Sequence, residues 1–160
     1  MKETVPFTKF QKLLEALTLI VLLGSILYLI IFWSSIPDTL PSHYNAMGVA
    51  DNWSGKSSLL VIPIISTLLY LGLTGVLFVP SIWNTPVEVT EKNRNFVYEN
   101  IRTMIGLMKL IAVSDFTYIT ICSATQSSLS NLFLPIVLIS TFGAIAIFIT
   151  RIIEGNKKLK

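Results

Sequence analysis

The chain of 160 residues holds a single cysteine, Cys122, and a single histidine, His43. One cysteine excludes an intramolecular disulfide and leaves the redox compartment unmarked. One cysteine and one histidine also fall short of the protein ligands that a zinc centre takes from these residue types, so no metal and no cofactor is expected. Charge is the larger deficit. Asp, Glu, Lys and Arg make up 13% of the chain, against about 25% in an average soluble domain. Hydrophobic residues reach 52% and the mean hydropathy is +0.70. A disordered chain is excluded and a soluble enzyme is disfavoured. Internal repeats and low-complexity tracts are missing as well.

What is present is set by where charge is absent. No charged residue lies between Glu15 and Asp38, between Lys56 and Glu88, or between Asp115 and Arg151. Each gap can hold the roughly 20 apolar residues that cross a bilayer core. Four spans are predicted, at about 13–32, 59–79, 103–122 and 132–150, the third interrupted by Lys109 and Asp115. The first span follows a basic start, but Trp33, Ser34 and Ser35 form no small-residue cleavage site, so it reads as a retained anchor. Residues 1–160 are thus expected to form one all-α membrane domain, a four-helix bundle, with a structured external loop at 33–58 and a cytoplasmic loop and helix extension at 80–102.

Orientation follows from the basic residues. Lys2, Lys9 and Lys12 precede the first span, Lys92, Arg94 and Arg102 occupy the second loop, and Arg151, Lys157, Lys158 and Lys160 follow the fourth span; Lys56 alone lies in the first loop. Basic residues beside short loops stay cytoplasmic. Both termini are expected inside. The net charge of +3 is absorbed by topology and anionic lipid rather than by nucleic acid. In the second loop Thr90 is a candidate N-cap with Glu88 and Glu91 at the positive end of a long helix from Glu91 to Cys122. Phe96, Val97, Ile101, Met104, Ile105 and Met108 recur near helical spacing; this stripe suits packing on neighbouring helices or the membrane surface, with docking of a cytosolic regulator as the lesser alternative. Gly24, Gly72, Gly75, Ser140, Gly143 and Ala144 are expected to allow close helix approach. The third loop, SATQSSLSN, reads as a simple polar turn.

The first loop, WSSIPDTLPSHYNAMGVADNWSGKSS, exceeds the ~12–15 residues beyond which loops are usually functional or disordered. Pro37 and Pro41 restrict the backbone around Asp38, Asn45 to Gly48 offers a turn with glycine at a left-handed position, and Ser57 or Ser58 can cap the second span. Trp33, Tyr44 and Trp53 suit the headgroup region. Asp38, His43, Asn45, Asp51 and Lys56 form the densest polar cluster of the chain. Two readings stay open: a binding site, or a structural set in which Asp38 and Asp51 cap turns, His43 bonds backbone and Lys56 snorkels. No nucleophile is marked out, so catalysis is not expected.

The pattern Leu40-Pro41-x-His43-Tyr44-Asn45-x-x-Gly48-x-x-Asp51-x-Trp53-x-x-Lys56-Ser57, placed between a first and a second span, resembles the conserved stretch of an uncharacterised bacterial membrane-domain family that stands at the front of SdpI-type immunity proteins. The resemblance covers about the first 80 residues. It implies a multi-pass protein of the bacterial cell membrane and, for the SdpI-like branch, immunity to a secreted toxin coupled to sequestration of a regulator. His43, Asn45, Gly48, Asp51 and Lys56 are the positions it nominates, Gly48 for backbone geometry.

Inside the spans, Lys109 stands about 9 Å along the helix from Thr103 and is expected to snorkel to the interface. Asp115 stands about 18 Å from Thr103, where a carboxylate normally faces a partner, a cavity or a pathway. Its candidate partners are Tyr28, Tyr70, Thr74, His43 and Lys56; Glu15 is expected at the interface. The leading expectation is a non-enzymatic protein that binds a secreted peptide, toxin or lipid at the external loop. The alternative is a small transporter or ion-coupled subunit using Asp115.

Overall fold

The computed structural model describes residues 5–159; Lys2 and Lys160, counted above for topology, lie outside them. Four long helices carry the chain: α1 (Lys9–Phe32), α2 (Val61–Leu77), α3 (Arg94–Ala124) and α4 (Phe133–Lys157). Each belongs to a segment long and apolar enough to cross a membrane, which is consistent with a multi-pass membrane protein. Between α1 and α2 the only helical pieces among the described residues are short 3-10 turns at Trp33–Ser35 and Lys56–Leu60. The chain there folds into an antiparallel hairpin of β1 (Thr39–Tyr44) and β2 (Ala50–Gly55), so the all-α expectation is corrected. The cause lies in the loop's own residues: Pro37 and Pro41 hold the chain extended, and the Asn45–Gly48 turn reverses it.

Helix α1 starts with a capping box, Thr8 accepting from the Gln11 backbone and the Gln11 side chain accepting from Thr8 N–H. Its buried positions, Leu14, Thr18, Leu22, Ser25 and Leu29, fall three or four apart and so form one narrow stripe. The remaining faces carry exposed Ile20, Ile30 and Ile31, as a lipid-facing surface would. Helix α3 is the hub. It packs along α1, α2 and α4, while α1 and α2 meet over a much shorter stretch and α4 leans extensively on α3 alone. The bundle is therefore three helices arranged around a fourth.

The close approaches fall elsewhere than expected. A Cβ added at Gly24, Gly72, Gly75 or Gly143 meets nothing within 4 Å, whereas Gly106 faces Leu14 and Gly155 lies directly on the Phe96 ring. Helix α3 begins at Arg94 rather than Glu91, with Asn93 in the cap position. The reason is that Asn93 Oδ1 takes the Thr90 N–H at 2.7 Å while Asn93 Nδ2 donates to Glu88 O and to Asn156 Oδ1. Asn93 thereby reverses the cap predicted for Thr90 and ties the start of α3 to the end of α4. Val97 and Ile101 of the predicted stripe pack with Ile152, flanked by Phe96, Ile105 and Trp83. That part of the stripe is used by the chain itself. Likewise Ser57 and Ser58 do not cap α2; a short 3-10 turn over Lys56–Leu60 leads into it.

Two ends result. The segment before α1, the 78–93 connection and the end of α4 gather at one, through the Phe7–Phe78 ring contact and the Asn93–Asn156 bond. The hairpin and the α3–α4 connection gather at the other, where Leu129 N–H donates to Gly48 O at 2.8 Å. Gly48 has φ +78°, and a Cβ there would lie 2.5 Å from the Leu129 carbonyl oxygen. Both conformation and space require glycine. Gly48→Ala is expected to destabilise the fold by about 1–3 kcal/mol, read by thermal unfolding in detergent, while Gly24→Ala stays near neutral; equal transitions for the two variants would contradict the packing.

Candidate functional site

The hairpin is seated by an apolar base and a set of directed bonds. Ile36, Leu40 and Leu59 are buried with Leu29 of α1 and Ala124 of α3. At the top of α3, the Ser123 hydroxyl donates to Pro41 O at 2.6 Å and the Gln126 amide to Thr39 O at 2.9 Å. Tyr44 donates to Ser127 O at 3.1 Å. Pro41 has no N–H to offer a ladder, and its carbonyl is used by α3 instead. Gln126 adopts φ 54°, a left-handed conformation uncommon outside glycine, Asn and Asp, and Ser127 N–H closes on Cys122 O as at a left-handed helix end. The connection that reads as an uninformative turn in sequence is the anchor of the hairpin. Its signal, Ser123 and Gln126 in a polar run, cannot be told from that of any exposed turn.

The five nominated loop residues divide sharply. Asn45 Oδ1 accepts from Met47 N–H at 2.9 Å and Val49 N–H at 3.1 Å, building the turn; Gly48 admits Leu129. Lys56 donates from Nζ to Ile36 O at 2.8 Å and from its backbone to Asp38 O, its ammonium 4.9 Å from the Trp33 ring centroid. Lys56 therefore braces the hairpin base rather than snorkelling. These three residues make the scaffold.

His43 and Asp51 are what the scaffold presents. His43 Nδ1 lies 2.5 Å from Asp51 Oδ1, with the two side chains 66% and 43% exposed. His43 therefore bonds Asp51 rather than backbone. Irregular register on both sides of His43 turns it out of the regular alternation. With Nδ1–H given to the carboxylate, Nε2 accepts when the ring is neutral and donates when it is protonated. Met47, Val49 and Trp53 on the same hairpin are also exposed. The hairpin thus exposes a polar pair and three large apolar side chains. The Tyr44 hydroxyl is pushed up to about 12, first by burial and then by repulsion from the Cys122 and Tyr118 side chains.

The polar residues of the helices are arranged differently from expectation. Lys109 is fully buried. Its ammonium donates to Glu15 Oε1 at 2.6 Å, Glu15 Oε2 at 2.7 Å and Thr74 Oγ1 at 2.8 Å, and lies 4.7 Å from the Tyr70 ring centroid. Snorkelling fails because α1 brings Glu15 to it: Gln11, one turn earlier, donates to Glu99 O and Thr103 Oγ1 of α3, which sets the register. Glu15 is thus a partner and not an interfacial bystander. Thr74 and Tyr70, candidate partners for Asp115, serve Lys109. Asp115 is half-buried, and among the described residues no hydrogen bond or ion pair joins it to Tyr28, His43, Lys56 or any other residue.

Residues 20–67 match the model of a family described as a domain of unknown function, DUF1648. The match takes in most of α1, the whole hairpin and the start of α2. No curated protein and no solved structure matches the chain.

Two outcomes follow. Lys109→Met leaves Glu15 without its ammonium and is expected to cost about 3–5 kcal/mol, whereas Glu15→Gln combined with Lys109→Met regains most of it; melting of the purified variants decides, and a neutral single variant would contradict the pair. For Tyr44, a phenol that titrates later in the folded than in the unfolded state gives stability that is complete below pH 10 and lost as pH rises through about 12. A Tyr44→Phe chain should lack that phase in an alkaline unfolding titration.

Proposed function

We propose that this is a non-enzymatic recognition protein of the bacterial cell membrane, whose hairpin binds a secreted peptide or toxin on the outer face, in keeping with the immunity role of the SdpI-like proteins that its motif resembles. The carrying observation is the division of labour in the hairpin. Asn45, Gly48 and Lys56 build and brace it, and the other two of the five nominated residues, His43 and Asp51, form an exposed pair. An ion pair this exposed contributes about 0–1 kcal/mol to stability, so folding does not account for it. A ligand does. A hairpin held before the ligand arrives loses little conformational freedom on binding, and Met47, Val49 and Trp53 supply apolar contact around the polar pair.

The excess of Lys and Arg at the end that holds both described chain ends supports an outward-facing hairpin. A regulator at the inner end would need a surface other than Val97 and Ile101, which are buried against α4. A second reading rests on Asp115, a half-buried carboxylate that joins no other described residue: a proton- or cation-coupled subunit, in which Asp115→Asn abolishes pH-driven flux in liposomes.

The recognition reading is tested in a peptide-sensitive host that expresses the chain. His43→Ala and Asp51→Ala should each remove protection while membrane abundance and melting temperature stay unchanged. Full protection by both variants sinks it.

A further inference from the structure

Arg102 is expected from sequence to serve topology, and the structure gives it a different setting. It is 4% exposed, its guanidinium carbon 4.4 Å from the Phe7 ring centroid and 5.7 Å from that of Trp83. Nη1 donates to Val5 O at 2.7 Å, while Nε has no hydrogen-bond partner among the described residues. No carboxylate among the described residues pairs with it. A buried guanidinium with neutral carbonyls as its acceptors keeps its full charge uncompensated, and an unsatisfied donor of this kind is costly. Arg102 lines a cavity of about 470 Å³ at the end opposite the hairpin, within the ~300–1,000 Å³ usual for small-molecule sites. Arg94 lines the same wall, and Phe7, Phe78 and Val79 form its apolar side.

We propose that this cavity binds a phosphate-bearing anion, with Arg102 as its principal donor, and that the anion is the headgroup of an anionic phospholipid. Phosphate oxygens match the guanidinium fork and would give Nε the acceptor it lacks among the described residues. The apolar wall distinguishes a lipid from free phosphate: Phe78 and Val79 are exposed where α2 ends, so an acyl chain can run from the headgroup along the lipid-facing surface. A basic pocket between spans on the side richest in Lys and Arg is where anionic headgroups collect. The site is independent of the hairpin, lying at the other end of the molecule.

The full chain in nanodiscs of phosphatidylcholine, alone or with phosphatidylglycerol, provides the test. Native mass spectrometry should show phosphatidylglycerol retained in preference to phosphatidylcholine, and phosphatidylglycerol should raise the melting temperature. Arg102→Gln is expected to reduce retention about tenfold, as for loss of one charge-assisted pair. Because that variant removes packing on Phe7, Ser81→Glu serves beside it. Ser81 is exposed at the cavity rim, so the variant adds repulsion without touching Arg102 and should weaken retention at an unchanged melting temperature in phosphatidylcholine. Stabilisation by inorganic phosphate in phosphatidylcholine discs, equal to that by the anionic lipid, would support the anion site and overturn the lipid as its source. Equal retention of phosphatidylglycerol by the native chain and both variants would overturn the site.

Discussion

The ammonium of Lys109 is the point on which the helix arrangement turns. It is fully buried on α3, and its acceptors come from α1 and α2, two helices that share little surface with one another. Between apolar helices in lipid there is no hydrophobic drive to associate, so polar contacts and close packing set which faces meet. A charge pair is especially selective. Rotating α1 by one residue would carry Glu15 about 100° around its axis and strand both charges. The pair therefore specifies register as well as adhesion, and the Gln11 bonds to Glu99 and Thr103 one turn away repeat the same register.

The hairpin depends on that arrangement. Its base packs on Leu29 of α1 and Ala124 of α3 together, so the two helices must be fixed relative to each other before Leu40 has a pocket. The hairpin in turn holds the α3–α4 connection through Gly48 and Leu129. Helix α4, which carries Phe148, Ile152 and Asn156 as its buried residues, is thereby tied at both ends: by Asn93 to Asn156 at one, and through the connection before Phe133 at the other. Its middle is left mostly uncovered by the rest of the chain.

How much of this was legible in the sequence follows the range of each signal. The four helices are written in runs of apolar residues, and each predicted span falls largely within a helical segment. The Asn45–Gly48 turn is equally local and stands as predicted, with Gly48 at positive φ. Strand pairing was missed because residues 39–44 and 50–55 are too polar and too interrupted by proline to alternate cleanly. The partner of Lys109 was missed for a different reason: Glu15 lies 94 positions away, and no local pattern reports such a distance. Snorkelling is the default for a lysine in a span, and the counter-charge that Glu15 brings overturns it. At the candidate site, His43 and Asp51 were found by residue type, but their separation from the scaffold residues needed three dimensions, as did the anchors Ser123 and Gln126.

The bonds that seat the hairpin join residues more than 80 positions apart: Pro41 with Ser123, Tyr44 with Ser127, Thr39 with Gln126. On a growing chain the hairpin is finished long before its seat exists. At about 5–20 residues per second the delay is several seconds, during which two further spans are made. The hairpin that carries the candidate site is thus among the first parts of the protein to be synthesised and among the last to be set in place. A hairpin docked in its final position is, for the molecule, a sign that α3 has been inserted and packed.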